Sequence, residues 1–145
     1  MGRSYPPMPA YVVGREKVRE FASAIGDQNP AYHSVEAARA LGYSDVVAPP
    51  TFAFVVAYAG SSQAAMDPEL GLDYSRVVHG EQRFAYFRPI VAGDALVATA
   101  TIEAIRSVAG NDIVTTRVEL VTEAGEPVVT TTTVVVSRGT AQEQT

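Results

Sequence analysis

The sequence predicts an α+β domain in which a long antiparallel sheet wraps around one apolar helix. Residues 51–65 are apolar on nearly every side, with no charge before Asp67, which is typical of a helix buried on most of its faces. The double proline before Thr51 blocks an earlier helix start. Beyond Asp73 the pattern changes to runs rich in Val, Thr and Ile that are separated by hairpin-like breaks. Helices followed by a run of strands favour an α+β arrangement.

Two shorter helices are predicted ahead of the apolar one. The first covers residues 14–25, where apolar side chains recur at the spacing of one helix face. These side chains belong to Val18, Phe21, Ala22 and Ile25. Gly26 then stands where a C-terminal cap belongs. The second helix covers residues 34–41 and has Ser34 as its N-cap.

Four strands are predicted in the second half of the chain. They cover residues 78–86, 95–108, 112–123 and 128–137. Alternation over 113–120 indicates a half-buried antiparallel strand, whereas 130–136 does not alternate and is either a central strand or an irregular one. We predict a single domain over 1–145, with an extended lead-in over 1–10 and a flexible tail over 138–145.

Composition excludes several classes of function. The chain has 145 residues, 47% of them hydrophobic, and a formal net charge of -5. Its eleven basic residues are scattered singly, so no nucleic-acid surface is expected. The absence of cysteine excludes disulfides and thiolate catalysis, and the two histidines form no zinc motif. No segment is long and apolar enough for a membrane span, and we expect a cytoplasmic protein that needs no metal.

The segment from Gly26 to His33 holds the most reactive combination of side chains. Asp27, Asn29 and His33 lie close together in sequence, with Pro30 between them. An acid–base pair on one short loop is what adding water across an activated double bond requires. The same residues also form a good helix-ending turn, because Asn and Asp bond their own backbone and proline cannot continue a helix. Spacing alone leaves both interpretations open.

Six motifs occur in an order that resembles a known family. They are Val13-Gly14-Arg15-Glu16, Gly26-Asp27-Gln28-Asn29-Pro30, Ala40-Leu41-Gly42-Tyr43, Ala48-Pro49-Pro50-Thr51-Phe52, His79-Gly80-Glu81-Gln82 and 87–94. With them the chain resembles the MaoC-like (R)-specific hydratases and dehydratases of the hot-dog fold. It is most similar to the FAS1-like dehydratase N-terminal type and to the small subunits of the mycobacterial (3R)-hydroxyacyl-ACP dehydratase.

The resemblance implies a reaction and a set of partners. The reaction is the reversible hydration of a trans-2-enoyl thioester to a (3R)-hydroxyacyl thioester in fatty-acid metabolism. The thioester is carried by coenzyme A or acyl carrier protein, so no separate cofactor is expected. The domain is expected to pair as a homodimer, or as a heterodimer with a second MaoC-like subunit, with neither nucleic acid nor membrane as a partner.

The resemblance also assigns the residues of the signature loop. Asp27 and His33 are the acid–base pair that flanks one water, and Asn29 helps to hold the loop or the water. The family pattern has histidine five residues after the aspartate, where this chain has Tyr32, and His33 follows one residue later. Tyr32 is expected to bind substrate at the core or rim of the site rather than to donate a proton, because an ordinary phenol has a pKa near 10.

The substrate is expected at the start of the apolar helix. The thioester carbonyl would meet free backbone N–H groups there. Because Pro50 has none, Thr51 or Phe52 would supply the donor. The acyl chain would lie along the helix against residues such as Phe52, Val55 and Val56.

The chain is therefore expected to be an enzyme, the hydratase or dehydratase itself. Two alternatives stay open, namely a non-catalytic acyl-binding subunit of a heterodimeric dehydratase and a hot-dog thioesterase. His79 is expected to be structural, and Arg88 would meet either a ligand phosphate or a surface carboxylate.

Overall fold

The computed structural model of the protein describes residues 2–139, except for the side chain of Tyr74. In chain order the elements are β1 (Tyr11–Val12), α1 (Arg15–Ala24), α2 (Val35–Ala40), α3 (Ala53–Ala65), β2 (Val77–Tyr86), β3 (Ala95–Val108), β4 (Asn111–Thr122) and β5 (Pro127–Ser137). Short 3₁₀ turns cover Pro30–Tyr32, Pro50–Phe52 and Tyr74–Arg76. The strands form one antiparallel sheet in the order β1-β3-β4-β5-β2, which curls around α3. The predicted architecture is therefore confirmed.

Helix α3 lies against the concave face of the sheet. Its fully buried positions are almost all small, namely Ala53, Val56, Ala57, Gly60 and Ala64. At Gly60 an added Cβ would lie 3.3 Å from the Cβ of Ala98 and 3.4 Å from a methyl group of Val118. Glycine therefore allows the helix axis to approach strands β3 and β4 closely. Large apolar side chains fill the rest of the core from the surrounding elements, and Phe52, Ile90, Leu96 and Leu120 are among them.

The strand predictions agree with the structure to within one residue at each end. Strand β3 has the predicted bounds, and β5 lies between β4 and β2. Strand β5 is therefore a central strand, as one of the two predictions had it, and residues 132–136 are all half-buried instead of alternating between buried and exposed. The predicted hairpin between β3 and β4 turns at Ala109 and Gly110, with positive φ at both residues (52° and 80°), as a type I′ turn requires.

A short strand that the sequence pattern did not predict follows the N-terminal lead-in. Strand β1 pairs with β3 through Leu96 and Ala95. The preceding residues continue along the same edge, where the amides of Tyr5 and Met8 donate to the carbonyls of Ala100 and Ala98, each at 2.9 Å. Prolines alternate with these donors, as is tolerated on an edge strand. The sequence pattern could not reveal this pairing, because the partner strand is about ninety residues away.

The C-terminal tail is only partly described. The amide of Arg138 donates to the carbonyl of Arg76 at 3.2 Å, and the amide of Gly139 donates to Asn111 Oδ1 at 3.0 Å. The remainder of the predicted tail, 140–145, lies outside the described residues. Among residues 2–139, no helix combines the length and apolarity needed to cross a bilayer.

The close approach at Gly60 predicts a specific sensitivity to side-chain size. We expect Gly60→Val to lower the free energy of unfolding by about 1–3 kcal/mol, because the new methyl groups overpack the helix–sheet contact. Valine has the higher helix propensity, so a loss would come from packing. Urea denaturation measures it. The control is Ala59→Val on the exposed side of the same helix, and equal losses in both variants would contradict the packing argument.

Candidate active site

The signature loop starts at a helix cap that Gly26 provides. The amide of Asp27 donates to the carbonyl of Ala22 at 2.9 Å, and the amide of Gly26 donates to the carbonyl of Ser23 at 3.1 Å. These two bonds form a Schellman motif, which requires the left-handed φ of 74° at Gly26. The predicted cap is confirmed, and it fixes the position of Asp27 relative to α1.

The polar side chains of the signature loop form hydrogen bonds with backbone amides of the same loop. The Asp27 carboxylate accepts from the amide of Asn29 at 3.0 Å, and Asn29 Oδ1 accepts from the amide of Ala31 at 3.1 Å. Asn29 thereby caps the 3₁₀ turn Pro30–Tyr32. The interpretation of this segment as a turn is therefore confirmed. Asp27 is half-buried and Asn29 is exposed, so one oxygen of the carboxylate has a turn-forming role.

His33 faces the main chain of the same loop. Its Nε2 lies 3.0 Å from the carbonyl oxygen of Asp27, while its own carbonyl accepts from Nε of Arg19 at 2.8 Å. A carbonyl oxygen only accepts, so this contact assigns the proton to Nε2. Asp27 and His33 are brought together, but through the backbone of Asp27 rather than through its carboxylate. In this arrangement Nε2 is a donor and is not a free base.

A cavity of about 480 Å³ opens beside the loop. Its wall is mainly apolar and includes Ala31, Leu41, Val47, Ala48, Phe87 and Pro89, with Asn29, Tyr32, Tyr43, Tyr86 and Arg88 as polar members. Two of the predicted site residues, Asn29 and Tyr32, therefore line it. Asp27 and His33 are not among the described lining residues, so the loop presents its tyrosine rather than its histidine to this space.

The other predicted binding residues are divided between core and surface. Phe52 is fully buried and packs edge-to-face against Phe21, with ring centroids 5.4 Å apart. Thr51 is exposed, and Val55 is half-buried against the core. None of the three lines the cavity described above. Phe52 is therefore a core residue, because its ring is fully buried and packs against Phe21 of α1.

The side chain of Tyr86, on β2, contacts the turn that precedes the apolar helix α3. Its hydroxyl donates to the carbonyl of Pro50, and the amide of Phe52 donates to the carbonyl of Pro49 at 2.9 Å. Of the two amides predicted to meet the thioester, that of Phe52 is therefore already bonded. Burial raises the pKa of Tyr86 to about 12, opposed by the backbone N–H of Ala53 and assisted by Tyr32. Sequence reasoning missed Tyr86, although residues 82, 84 and 86 share the more buried face of β2.

Tyr32 and Tyr43 complete a group of three phenols. Burial raises the pKa of Tyr32, and the negative charge of Asp27 and the phenol of Tyr43 raise it further. Tyr43 directly follows the end of α2, where its amide donates to the carbonyl of Ala38 at 3.1 Å. With raised pKa values, Tyr32 and Tyr86 are neutral phenols at physiological pH. Tyr32 is half-buried in the wall of the cavity, in agreement with its predicted place at the core or rim.

Arg88 is held by carboxylates. Its guanidinium makes two bonds to Asp94, at 2.9 and 3.1 Å, and lies 3.5 Å from Glu126. Asp94 also accepts from the amide of Val91 at 2.9 Å, which closes the turn before β3. The ion-pair alternative for Arg88 is confirmed, and its charge at the cavity wall is largely neutralised.

A second cavity of about 260 Å³ lies near the C-terminal half of α3. His79 lines it, stacks on Phe54 at a centroid distance of 5.8 Å, and bonds through Nε2 to the carbonyl of Glu81 at 3.0 Å. The predicted structural role of His79 is confirmed by these contacts. Within residues 2–139 no cluster of three or more His, Cys, Asp or Glu side chains could hold a metal ion.

Comparison with known proteins assigns the family. The family model for the FAS1-like dehydratase domain region matches residues 1–131. The chain is 61% identical over 138 residues to a UPF0336 protein of Streptomyces avermitilis, which covers 95% of this chain and 92% of the relative. The chain therefore belongs to the FAS1-like dehydratase domain family.

Solved structures with the same fold agree with this assignment. A MaoC-like dehydratase is similar with 40% identity and a TM-score of 0.87, over 95% of this chain and 42% of that one. The HadBC (3R)-hydroxyacyl-ACP dehydratase complex of Mycobacterium tuberculosis is similar with 36% identity and a TM-score of 0.79, over 93% of this chain and 95% of that one. The predicted resemblance to MaoC-like dehydratases and the hot-dog fold are both confirmed.

The buried phenol of Tyr86 predicts a loss of stability at alkaline pH. Its pKa in the folded protein is about 12, against about 10 when unfolded. The contribution of Tyr86 to the free energy of unfolding is therefore fully present below about pH 10. It falls as the pH rises toward about 12, because only the unfolded chain releases the proton in this window. Between about pH 9 and about pH 11.5, we expect the free energy of unfolding to decline less in Tyr86→Phe than in the wild type.

Urea denaturation at the two pH values measures this difference. Burial and the bond to Asp67 also raise the pKa of Tyr5 to about 12, so a smaller decline should remain in the variant. Tyr11→Phe, at a residue that lines neither cavity, is the matched control. An unchanged decline in Tyr86→Phe would contradict the assigned burial effect.

Proposed function

We propose that this chain is the acyl-thioester-binding subunit of an (R)-specific enoyl-thioester hydratase, which in reverse is a 3-hydroxyacyl-thioester dehydratase. It works as a dimer with a second MaoC-like subunit, which supplies the acid–base pair. Hydration adds the hydroxyl of water to C3 and a proton to C2 of the enoyl thioester, and dehydration reverses both transfers. The thioester is one of coenzyme A or of acyl carrier protein.

One observation carries this proposal over the alternatives. The position that faces the cavity holds Tyr32, whereas His33 donates from Nε2 to the backbone of Asp27 at 3.0 Å. A phenol whose pKa is raised by burial is a poor base near neutral pH. The site therefore favours binding and orientation of a thioester over proton transfer by its own loop.

Size and polarity of the larger cavity support an acyl ligand. A volume of about 480 Å³ falls within the range of small-molecule sites, and such sites are mostly apolar with a few convergent polar groups. Ala31, Leu41, Val47 and Ala48 provide apolar surface. Asn29 and the phenols provide the polar groups that a thioester carbonyl or a hydroxyl could meet.

The free edge of β2 supports a partner of the same fold. Within residues 2–139, β2 pairs with β5 only, so its outer backbone groups have no strand partner. Apolar side chains are exposed on or beside it, with Val78 41% and Phe87 65% accessible. An unpaired edge with exposed apolar residues is suited to strand addition. Because Phe87 also lines the cavity, a subunit bound along β2 would cover one side of the site.

A second candidate function is hydration by this chain itself. The contact that joins His33 to Asp27 favours it, because both groups already lie on one loop beside the cavity. Rotation of the imidazole would release Nε2, and Asp27 keeps a second carboxylate oxygen for a water. In this proposal Asp27 and His33 share the acid–base steps, with Asn29 holding the loop.

Variants of the loop distinguish the two candidates. Crotonyl-CoA hydration is measured for the purified chain alone and after addition of a MaoC-like protein from the same organism. We expect little activity alone and hydration with the partner, with Asp27→Asn and His33→Ala changing that rate by less than about threefold. A catalytic pair would lose about 10²–10⁴-fold in each variant, because a general acid or base contributes that much to the rate.

His79→Ala is the matched histidine control, since His79 lies at the other cavity. Hydration by the chain alone that collapses in His33→Ala but not in His79→Ala would replace the binding-subunit proposal by the catalytic one. Release of free thiol from the same substrate, followed with a thiol reagent, would instead identify a thioesterase.

A further inference from the structure

The three phenols of the larger cavity differ in how their hydroxyl groups are bonded. The hydroxyl of Tyr86 donates to the carbonyl of Pro50. Those of Tyr32 and Tyr43 have no hydrogen-bond partner among the described residues, although both side chains are half-buried and line the cavity. A half-buried hydroxyl without a protein partner is a donor available to a ligand.

The start of α3 lacks the donors that a thioester would otherwise use. Pro50 has no N–H, and the amide of Phe52 donates to the carbonyl of Pro49 at 2.9 Å. The hydroxyl of Tyr86 donates to the carbonyl of Pro50, so this backbone acceptor does not compete with a ligand for the other phenol hydroxyls. Thr51, which has the other predicted amide donor, does not line the cavity. A carbonyl oxygen bound there therefore needs hydrogen-bond donors from other residues of the wall.

We infer that the hydroxyls of Tyr32 and Tyr43 donate hydrogen bonds to the thioester carbonyl oxygen of the bound acyl ligand. The inference rests on the proposed function and extends it by naming the groups that recognise the thioester. Tyr32 then has a ligand-binding role at the position where the family pattern has its histidine. Tyr86 is a positioning residue, because it acts on the backbone at the start of α3 and not on the ligand.

The surroundings of Tyr32 keep its phenol in the donor form. Burial, the carboxylate of Asp27 and the phenol of Tyr43 all disfavour loss of its proton, since each raises its pKa. Tyr32 and Tyr43 line the same cavity. A carbonyl oxygen bound there therefore has two phenol donors on the wall, one for each of its lone pairs.

Isotope-edited infrared spectroscopy tests the inference directly. The probe is butyryl-CoA labelled with carbon-13 at the thioester carbonyl, a saturated thioester with no double bond to hydrate, bound to the chain in complex with its MaoC-like partner. Hydrogen bonding lowers the carbonyl stretching frequency, so we expect a downward shift in the wild type. Tyr32→Phe and Tyr43→Phe should each reverse part of the shift and weaken binding about 3- to 10-fold, as expected for the loss of one neutral hydrogen bond.

Tyr11→Phe is the matched control, because Tyr11 packs on the core and lines neither cavity. Phenylalanine keeps each ring, and thermal unfolding of every variant verifies that the fold is intact. A carbonyl frequency and affinity that stay at the wild-type values in both Tyr32→Phe and Tyr43→Phe would overturn the inference while leaving the proposed function in place. A wild-type complex that does not bind the labelled thioester would overturn both.

Discussion

The close contact between α3 and the sheet is the constraint on which the rest of the domain depends. Because Gly60 and small neighbours face the strands, the helix axis lies near β3 and β4. The position of the helix then fixes where its first turn ends, and with it the double proline and the carbonyl that Tyr86 bonds.

The sequence of the signature loop admits two interpretations because its polar side chains can either bond to the loop backbone or take part in chemistry. The same Asp, Asn and Pro residues that suit acid–base chemistry also satisfy the backbone after α1, and here they do the latter. The side chain that this turn directs to the cavity is that of Tyr32, five residues after Asp27, and not that of His33.

Local patterns were sufficient for most of the fold. The apolar run before Asp67, the period-two strands and Gly26 as a cap each depend on neighbours in sequence, and each was predicted. Strand β1 and the role of Tyr86 depend on contacts across the sheet and between β2 and α3, which periodicity does not encode. The orientation of the His33 side chain depends on one hydrogen bond, from its Nε2 to the carbonyl oxygen of Asp27. Spacing in the sequence does not encode this orientation, although the step from Tyr32 to His33 pointed to the segment where it matters.

The two edges of the sheet differ in a way that bears on stoichiometry. On one side, β1 has two residues and is continued by a proline-rich segment, and short or proline-interrupted edges do not accept further strands. On the other side, β2 offers ten residues of unpaired backbone. In the proposed dimer, two subunits joined along β2 would leave only the short, proline-rich edges outermost. Association through this sheet would then stop at a pair instead of growing into a filament.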